Sequence, residues 1–314
     1  MLFSMIVHIT RALLLLLVAC TATAQPLKII ASIYPVKLIA QEIVGDRHSL
    51  EVLLSAGQSP HDFAFKVSER RKLAQADVLL WVGPDLEPYL ANISEGQSTL
   101  AMASTVSIAS SDLELDDRET KEGSADAEGT HLHGHHHSQD QHLWLSLEDT
   151  RRFALSIEQH LIQLDPEGEN TYRENARAFF NQLEQLAQLS QQLTGAATRT
   201  EVSSAGLSRP YAVAHRAYDH FLESFPFPEP VVLSNSPELS PGARSLWQIG
   251  KKLDDNSCLL VEGRNPQRWL TIFAERNQLQ TVPIDIMGDL SGVGTYTELV
   301  TAMLEVFSRC STLE

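Results

Sequence analysis

Apolar positions along this chain fall into short runs separated by amphipathic stretches. LKIIASIYPVKLIAQEIVG, from Leu27 to Gly45, reads as a strand, a turn at Tyr34-Pro35 and a helix that stops at the glycine. HSLEVLLSAG predicts a second strand with Gly57 as its stop. The spacing from Val67 to Gln75 predicts a helix, and DVLLWVG after it a buried strand. Nearly continuous apolar strands alternating with helices are the pattern of an α/β domain with a parallel sheet, whose strands are covered on both faces.

From about residue 111 to 141 the pattern vanishes. SSDLELDDRETKEGSADAEGTHLHGHHHSQDQ holds almost no large apolar residue after Leu115 and reads as a loop, acidic first and histidine-rich second. Order returns at HLWLSLEDTRRFALSIEQHLIQL, a helix broken at Asp165-Pro166. The next helix carries Tyr172, Ala176, Phe179, Phe180, Leu183, Leu186 and Leu189 at helical spacing and ends near Gly195. At 1.5 Å per residue it spans roughly 40 Å, enough to join two domains rigidly.

The second half repeats the alternation. PYAVAH, PVVLSNS, SCLLVEG and TVPIDI read as strands, and RAYDHFLESF, ARSLWQIGKKL, WLTIFAERN and TYTELVTAMLEVFSRC as helices. Ser240 is the expected N-cap of the second of these helices, with Pro241 in its first turn. The expected architecture is therefore α/β: two lobes with mainly parallel sheets joined by one long rigid helix. The boundaries fall at 25–164 for the first lobe, 165–195 for the linking helix and 196–314 for the second lobe. The four tryptophans, Trp81, Trp144, Trp247 and Trp269, read as core. His160 and His220 read as surface or packing residues on helices, and His48 as exposed between two elements.

The totals narrow the function. The 314 residues carry a formal net charge of −16. An acidic surface repels polyanions, so nucleic acid and anionic membranes are not expected partners, whereas a cation is a suitable ligand. Residues 1–24 are not expected to belong to the fold. Arg11, the apolar run ALLLLLVAC and the small-x-small site Ala22-Thr23-Ala24 make a cleavable secretory signal peptide. Leu17-Val18-Ala19-Cys20 also resembles a lipobox, and a chain lipid-anchored through Cys20 is the competing reading. Without Cys20 two cysteines remain, Cys258 and Cys310. In an oxidising compartment they form one disulfide or stand as two separate buried thiols.

Three polar residues stand where an apolar strand ends or a loop enters a helix. His61 follows LLSAGQSP, His215 ends YAVAH, and Asp285 follows TVPI. Open α/β sheets bind ligands at the carboxyl ends of their strands. His142 lies just before LWL. Three imidazoles and one carboxylate suit zinc, although each residue taken alone has an ordinary structural role open to it.

GQSPHDFAFKVSERRKLAQADVLLWVG, HLWLSL, AVAHRAYDHF, ELSPGARSL and VPIDIMG, in this order, resemble successive motifs of the metal-binding solute-binding proteins of ABC importers (cluster A-I, family 9). The resemblance is closest to the zinc-uptake branch and covers essentially the whole mature chain. It implies two α/β lobes joined by a long helix with the metal between them. It also implies Zn2+ held by His61, His142 and His215, with Asp285 or water as the fourth ligand. A disulfide between Cys258 and Cys310 is implied too, as is a periplasmic protein that delivers its ion to an ABC permease and its ATPase. A monomer is expected. Two departures matter. Ser59-Pro60 precede His61 where some zinc-branch members have a carboxylate. His215 stands where the manganese branch usually has glutamate, and a third imidazole shifts preference from manganese toward zinc.

His131, His133, His135, His136 and His137 lie on the loop, at the place where the zinc branch often carries a histidine-rich segment; such a loop holds zinc weakly as an accessory, or is a solvated linker. Glu262 lines the cleft in this reading without being a ligand. GVG near Gly292 lacks the helix and lysine of a phosphate cradle. Manganese or another divalent ion remains the alternative cargo, and an adhesin or zinc buffer the alternative use of the same fold. A zinc hydrolase is disfavoured because HExxH is absent.

Overall fold

The strands that read as continuous apolar runs occupy the sheet centres. A computed structural model describes residues 25–61, 63–91, 98–105, 140–193, 209–235, 237, 239–263 and 266–311. The expected signal peptide with Cys20, most of the charged loop with its five histidines, and Gly195 lie outside the described residues. The first sheet contains β1 (Lys28–Ala31), β2 (Ser49–Val52), β3 (Val78–Trp81) and β4 (Ser98–Ala101) in the order β2-β1-β3-β4. The second contains β5 (Tyr211–His215), β6 (Val231–Ser234), β7 (Cys258–Glu262) and β8 (Gln280–Ile284) in the order β6-β5-β7-β8. Every pairing is parallel, so the two lobes repeat one topology.

Burial follows position in the sheet. Central β3 is buried at all four residues, whereas edge strand β2 alternates between exposed and half-buried. Pro283 sits in edge strand β8, where its missing N–H leaves no central ladder bond unmade. β4 was not legible as a strand in the sequence, and all four of its residues are only partly buried.

The helices are α1 (Tyr34–Val44), α2 (Val67–Leu73), α3 (Pro88–Ala91), α4 (Leu147–Leu164), α5 (Glu169–Leu193), α6 (Asp219–Ser224), α7 (Ala243–Gly250), α8 (Arg268–Arg276) and α9 (Tyr296–Ser311). Ser146 caps α4 by accepting the Asp149 N–H. The 25 residues of α5 extend about 37 Å. Its buried positions Tyr172, Ala176, Phe179, Leu183, Leu186 and Ser190 step by four and three, a single stripe laid against α1, α4 and α9. Phe180 falls off that stripe, and the Arg151 guanidinium covers its ring at 4.8 Å. One hydrophobic core runs through both lobes, from Ile29 to Phe307, and a smaller one lies between the second sheet and α8. No helix among the described residues is long and apolar enough to cross a membrane.

A polar cluster fixes the start of α5. Asp165 accepts hydrogen bonds from the Arg47 guanidinium and the Tyr172 hydroxyl, and His48 Nε2 lies 2.6 Å from that hydroxyl. The His48 side chain is 3% exposed, which corrects the expectation of an exposed histidine. The corner between α1 and β2 is folded under the linking helix, a contact that no local pattern encodes.

Two further expectations change. Trp247 is 63% exposed, with the Lys251 ammonium 3.5 Å from the centre of its ring, and Trp269 is only partly buried. α7 packs through Leu246 and Ile249, so its tryptophan falls on the outer face. Its N-cap is Gly242 with no side-chain cap, because the helix begins after Ser240-Pro241. Trp81 and Trp144 are core as expected, and Cys258 and Cys310 form a disulfide with Cα atoms 5.9 Å apart. It ties the start of β7 to the end of α9.

Candidate metal centre

Each candidate ligand enters the space between the lobes from a different element. His61 sits in the loop after β2, and its N–H donates to the Ser59 hydroxyl at 3.2 Å. His142 precedes the short 3-10 turn Leu143–Leu145 that leads into α4. His215 is the last residue of β5. His61 and His215 follow the carboxyl ends of parallel strands, where this sheet topology gathers ligands, and His142 joins them from the entry to α4.

One nitrogen from each of His61, His142 and His215 lies within 4.8 Å of the others, and no other set of ligating side chains does this among the described residues. The Nε2 atoms of His61 and His142 are 3.3 Å apart. Two nitrogens held at 2.0–2.1 Å from a tetrahedral ion stand about 3.3–3.4 Å apart, so this pair already has the spacing of a zinc site's edge.

Each of the two buried histidines has a carboxylate beside its other nitrogen. Asp140 Oδ1 accepts both the backbone N–H of His142, at 2.9 Å, and its ring Nδ1–H, at 2.7 Å. The proton on Nδ1 leaves the Nε2 lone pair for an ion. Burial works against the Asp140 charge, but its bonds to His142 outweigh that and hold the carboxyl below its usual value. Asp140 Oδ2 accepts the Asp219 N–H at the start of α6, so the same residue ties the two lobes together. Glu262 Oε1 lies 3.5 Å from His215 Nδ1 and accepts the Tyr218 hydroxyl at 2.8 Å. Burial, then the Glu262 charge, pushes the Tyr218 phenol well above its ordinary range and keeps it a donor.

The three histidines line a cavity of ≈ 230 Å³ together with Trp144, Glu262, Asp285 and Asp289. Trp144 is fully buried, its ring edge-on to His142, and its indole N–H donates to the Ile286 carbonyl in the second lobe. Asp285 lines the cavity but lies outside the three-histidine set. Its carboxylate accepts four backbone N–H groups, from Met287 and Gly288 on Oδ1 and from Leu290 and Ser291 on Oδ2. Asp289 stands at the same rim, its carboxyl raised by burial and by the charge of Asp285, against a hydrogen bond from Gly57. A larger cavity of ≈ 630 Å³ lies over α8 and β8, lined by Leu270, Ala274 and Leu279, away from the histidines.

His160 and His220 are packing residues as expected. His160 Nε2 meets the Ser98 hydroxyl, and His220 Nε2 donates to the Asp140 carbonyl. Asp140 was missed by the sequence reading because it closes an acidic, low-complexity stretch in which no single carboxylate stands out. Its place two residues before His142 was the available signal.

Known proteins of the same build bind metal ions. The family model for zinc-uptake complex component A, periplasmic, matches residues 29–310. A high-affinity zinc uptake system protein of Yersinia pestis is 27% identical over 307 residues, covering 90% of each chain. Its counterpart in Paracoccus denitrificans is 26% identical over 93% of this chain and 94% of its own. Among solved structures, a zinc-bound deletion mutant of ZnuA superposes with a TM-score of 0.69 at 19% identity, covering 92% of this chain and 100% of that one. A nickel complex of the solute-binding protein FpvC of Pseudomonas aeruginosa reaches 0.64 at 16% identity, covering 91% and 98%. With the matched region spanning both lobes and every element around the three histidines, this chain belongs to the periplasmic zinc-uptake component A family.

Proposed function

We propose that the protein captures Zn2+ between its two lobes, 25–164 and 196–314, and delivers it to an ABC permease driven by an ATPase. The observation that carries this reading is the convergence of His61, His142 and His215, with two Nε2 atoms at tetrahedral zinc spacing, a carboxylate hydrogen-bonded to the His142 ring and another beside His215. Three imidazoles favour zinc over the harder manganese ion. His215, with Nδ1 beside Glu262, offers Nε2. The fourth ligand is Asp285 or water: the Asp285 carboxylate already accepts four N–H groups, so it reaches an ion only by releasing one. The leader-like residues 1–24 and the family relation support a periplasmic protein, soluble or lipid-anchored through Cys20, within reach of a membrane permease. The family relation supports the import role.

Competitive zinc titration of residues 25–314 tests this reading. One tight equivalent is expected, followed by weaker ones held by His131, His133, His135, His136 and His137. Deleting residues 119–139 should remove the weaker equivalents and spare the tight one. Loss of the tight site in the deletion variant would move the metal from the lobes to the loop. Protons compete with the ion for imidazole nitrogen, so affinity should fall markedly from pH 7.5 to pH 5. Unchanged affinity over that range would contradict a three-histidine site.

Asp140→Ala checks the outer partner. Loss of the carboxylate that fixes the His142 ring should weaken zinc by about 10–100-fold. Wild-type affinity in this variant would show that His142 needs no such support.

A further inference from the structure

A side chain of the second lobe reaches across the cleft to the loop bearing His61. Gly57, in that loop, donates its N–H to Asp289 Oδ2 at 2.8 Å. The bond is exposed, at the rim of the cavity that both residues line. Other bonds between the two halves lie deeper, from the Trp144 indole to Ile286 and from Asp219 to Asp140. Gly57 has φ +78°, a conformation side chains rarely adopt, so its N–H is aimed by a turn built for glycine.

The second oxygen of Asp289 sharpens the point. Oδ1 is buried and lacks a partner in ordinary hydrogen-bond geometry, with the backbone N–H groups of Asp289 and Leu290 near the carboxylate. A buried carboxylate oxygen without a partner is costly. Asp285 stands close enough to raise that cost by charge repulsion. A cation held by the three histidines would offset the repulsion between the two carboxylates. The residue is therefore better held in place when the cavity is filled.

We propose that Asp289 is a positioning residue for the ion: a latch that holds the His61 loop against the second lobe while zinc is bound and so sets the rate of release. The inference rests on the zinc reading above. Asp289 need not touch the ion, because it acts through Gly57 on the loop that places His61.

The test is chelator-driven zinc release by stopped flow, from residues 25–314 loaded with one equivalent of zinc. Asp289→Ala should raise the dissociation rate by about five- to tenfold, the worth of one ordinary hydrogen bond, since the Gly57–Asp289 bond is exposed to solvent. The thermal midpoint of the metal-free protein should stay where it is in the wild type. Asp289→Asn keeps an acceptor oxygen for Gly57 and should restore slow release. Release at the wild-type rate from Asp289→Ala would overturn the latch. So would faster release accompanied by a lower metal-free midpoint that Asn does not rescue, since that pattern marks a structural residue. A wild-type protein that holds no stoichiometric zinc would overturn the proposed function and the latch with it; the other failures remove the latch alone.

Discussion

His215→Ala should lose the tight zinc equivalent. Removing a ligand costs more than the roughly 10–100-fold assigned to the partners that orient one, so affinity should drop by more than about 100-fold. The residue is 4% exposed at the end of a central strand, and the substitution leaves a space beside Glu262 and Tyr218. A fall in affinity must therefore be separated from a fall in stability. Thermal unfolding of the metal-free variant supplies that control: a protein that stays folded but binds only weakly has lost a ligand. The weak equivalents assigned to the loop histidines should survive, because His215 is not among their ligands. Equal tight affinity in wild type and variant would place the main site elsewhere.

Asp165→Ala should destabilise the fold by about 3 kcal/mol without changing zinc affinity. The figure takes the low end of the cost of breaking a buried ion pair, because Arg47 is 32% exposed and partly solvated. The lost groups are several. Asp165 receives Arg47 and Tyr172, and His48 lies 3.5 Å away. For a chain of this size the loss corresponds to about 5–10 °C in the unfolding midpoint. The same cluster sets an acid dependence. The Arg47 guanidinium, with help from Tyr172, holds the Asp165 carboxyl down to about 2 against its burial. Its folded value is depressed, so the stability it contributes is present above the ordinary 3.8 and is lost as pH falls toward 2. Burial likewise lowers His48 below its ordinary 6.5. The unfolded chain takes up that proton first, so this contribution is lost as pH drops below 6.5 toward the lower folded value. Stability should thus decline in two windows, and Asp165→Asn should remove the more acidic one. A variant as stable as the wild type would show that the cluster does not hold the linking helix.

Much of this architecture could be read from periodicity. β1, β3, β5 and β7 are apolar runs because both sheet faces are covered, and α5 shows its stripe because only one face meets the core. Three site histidines were visible as polar residues at strand or loop ends. The misses share one cause. His48 is buried by Tyr172 and Asp165, which lie more than a hundred residues away in the chain. Trp247 is exposed because α7 turns a different face inward. Asp140 and Asp289 matter through partners 79 and 232 residues distant. Local pattern reports which face of an element is apolar; it does not report which distant side chain completes a polar contact.

The central claim is that one ion sits between the lobes on three imidazoles. Anomalous diffraction at the zinc edge, from crystals of residues 25–314 grown with one equivalent of zinc, tests it most directly. The account predicts a single strong peak within bonding distance of His61, His142 and His215, about 2.0–2.1 Å from each nitrogen. A peak on the histidine-rich loop, or on carboxylates away from these three rings, would contradict it.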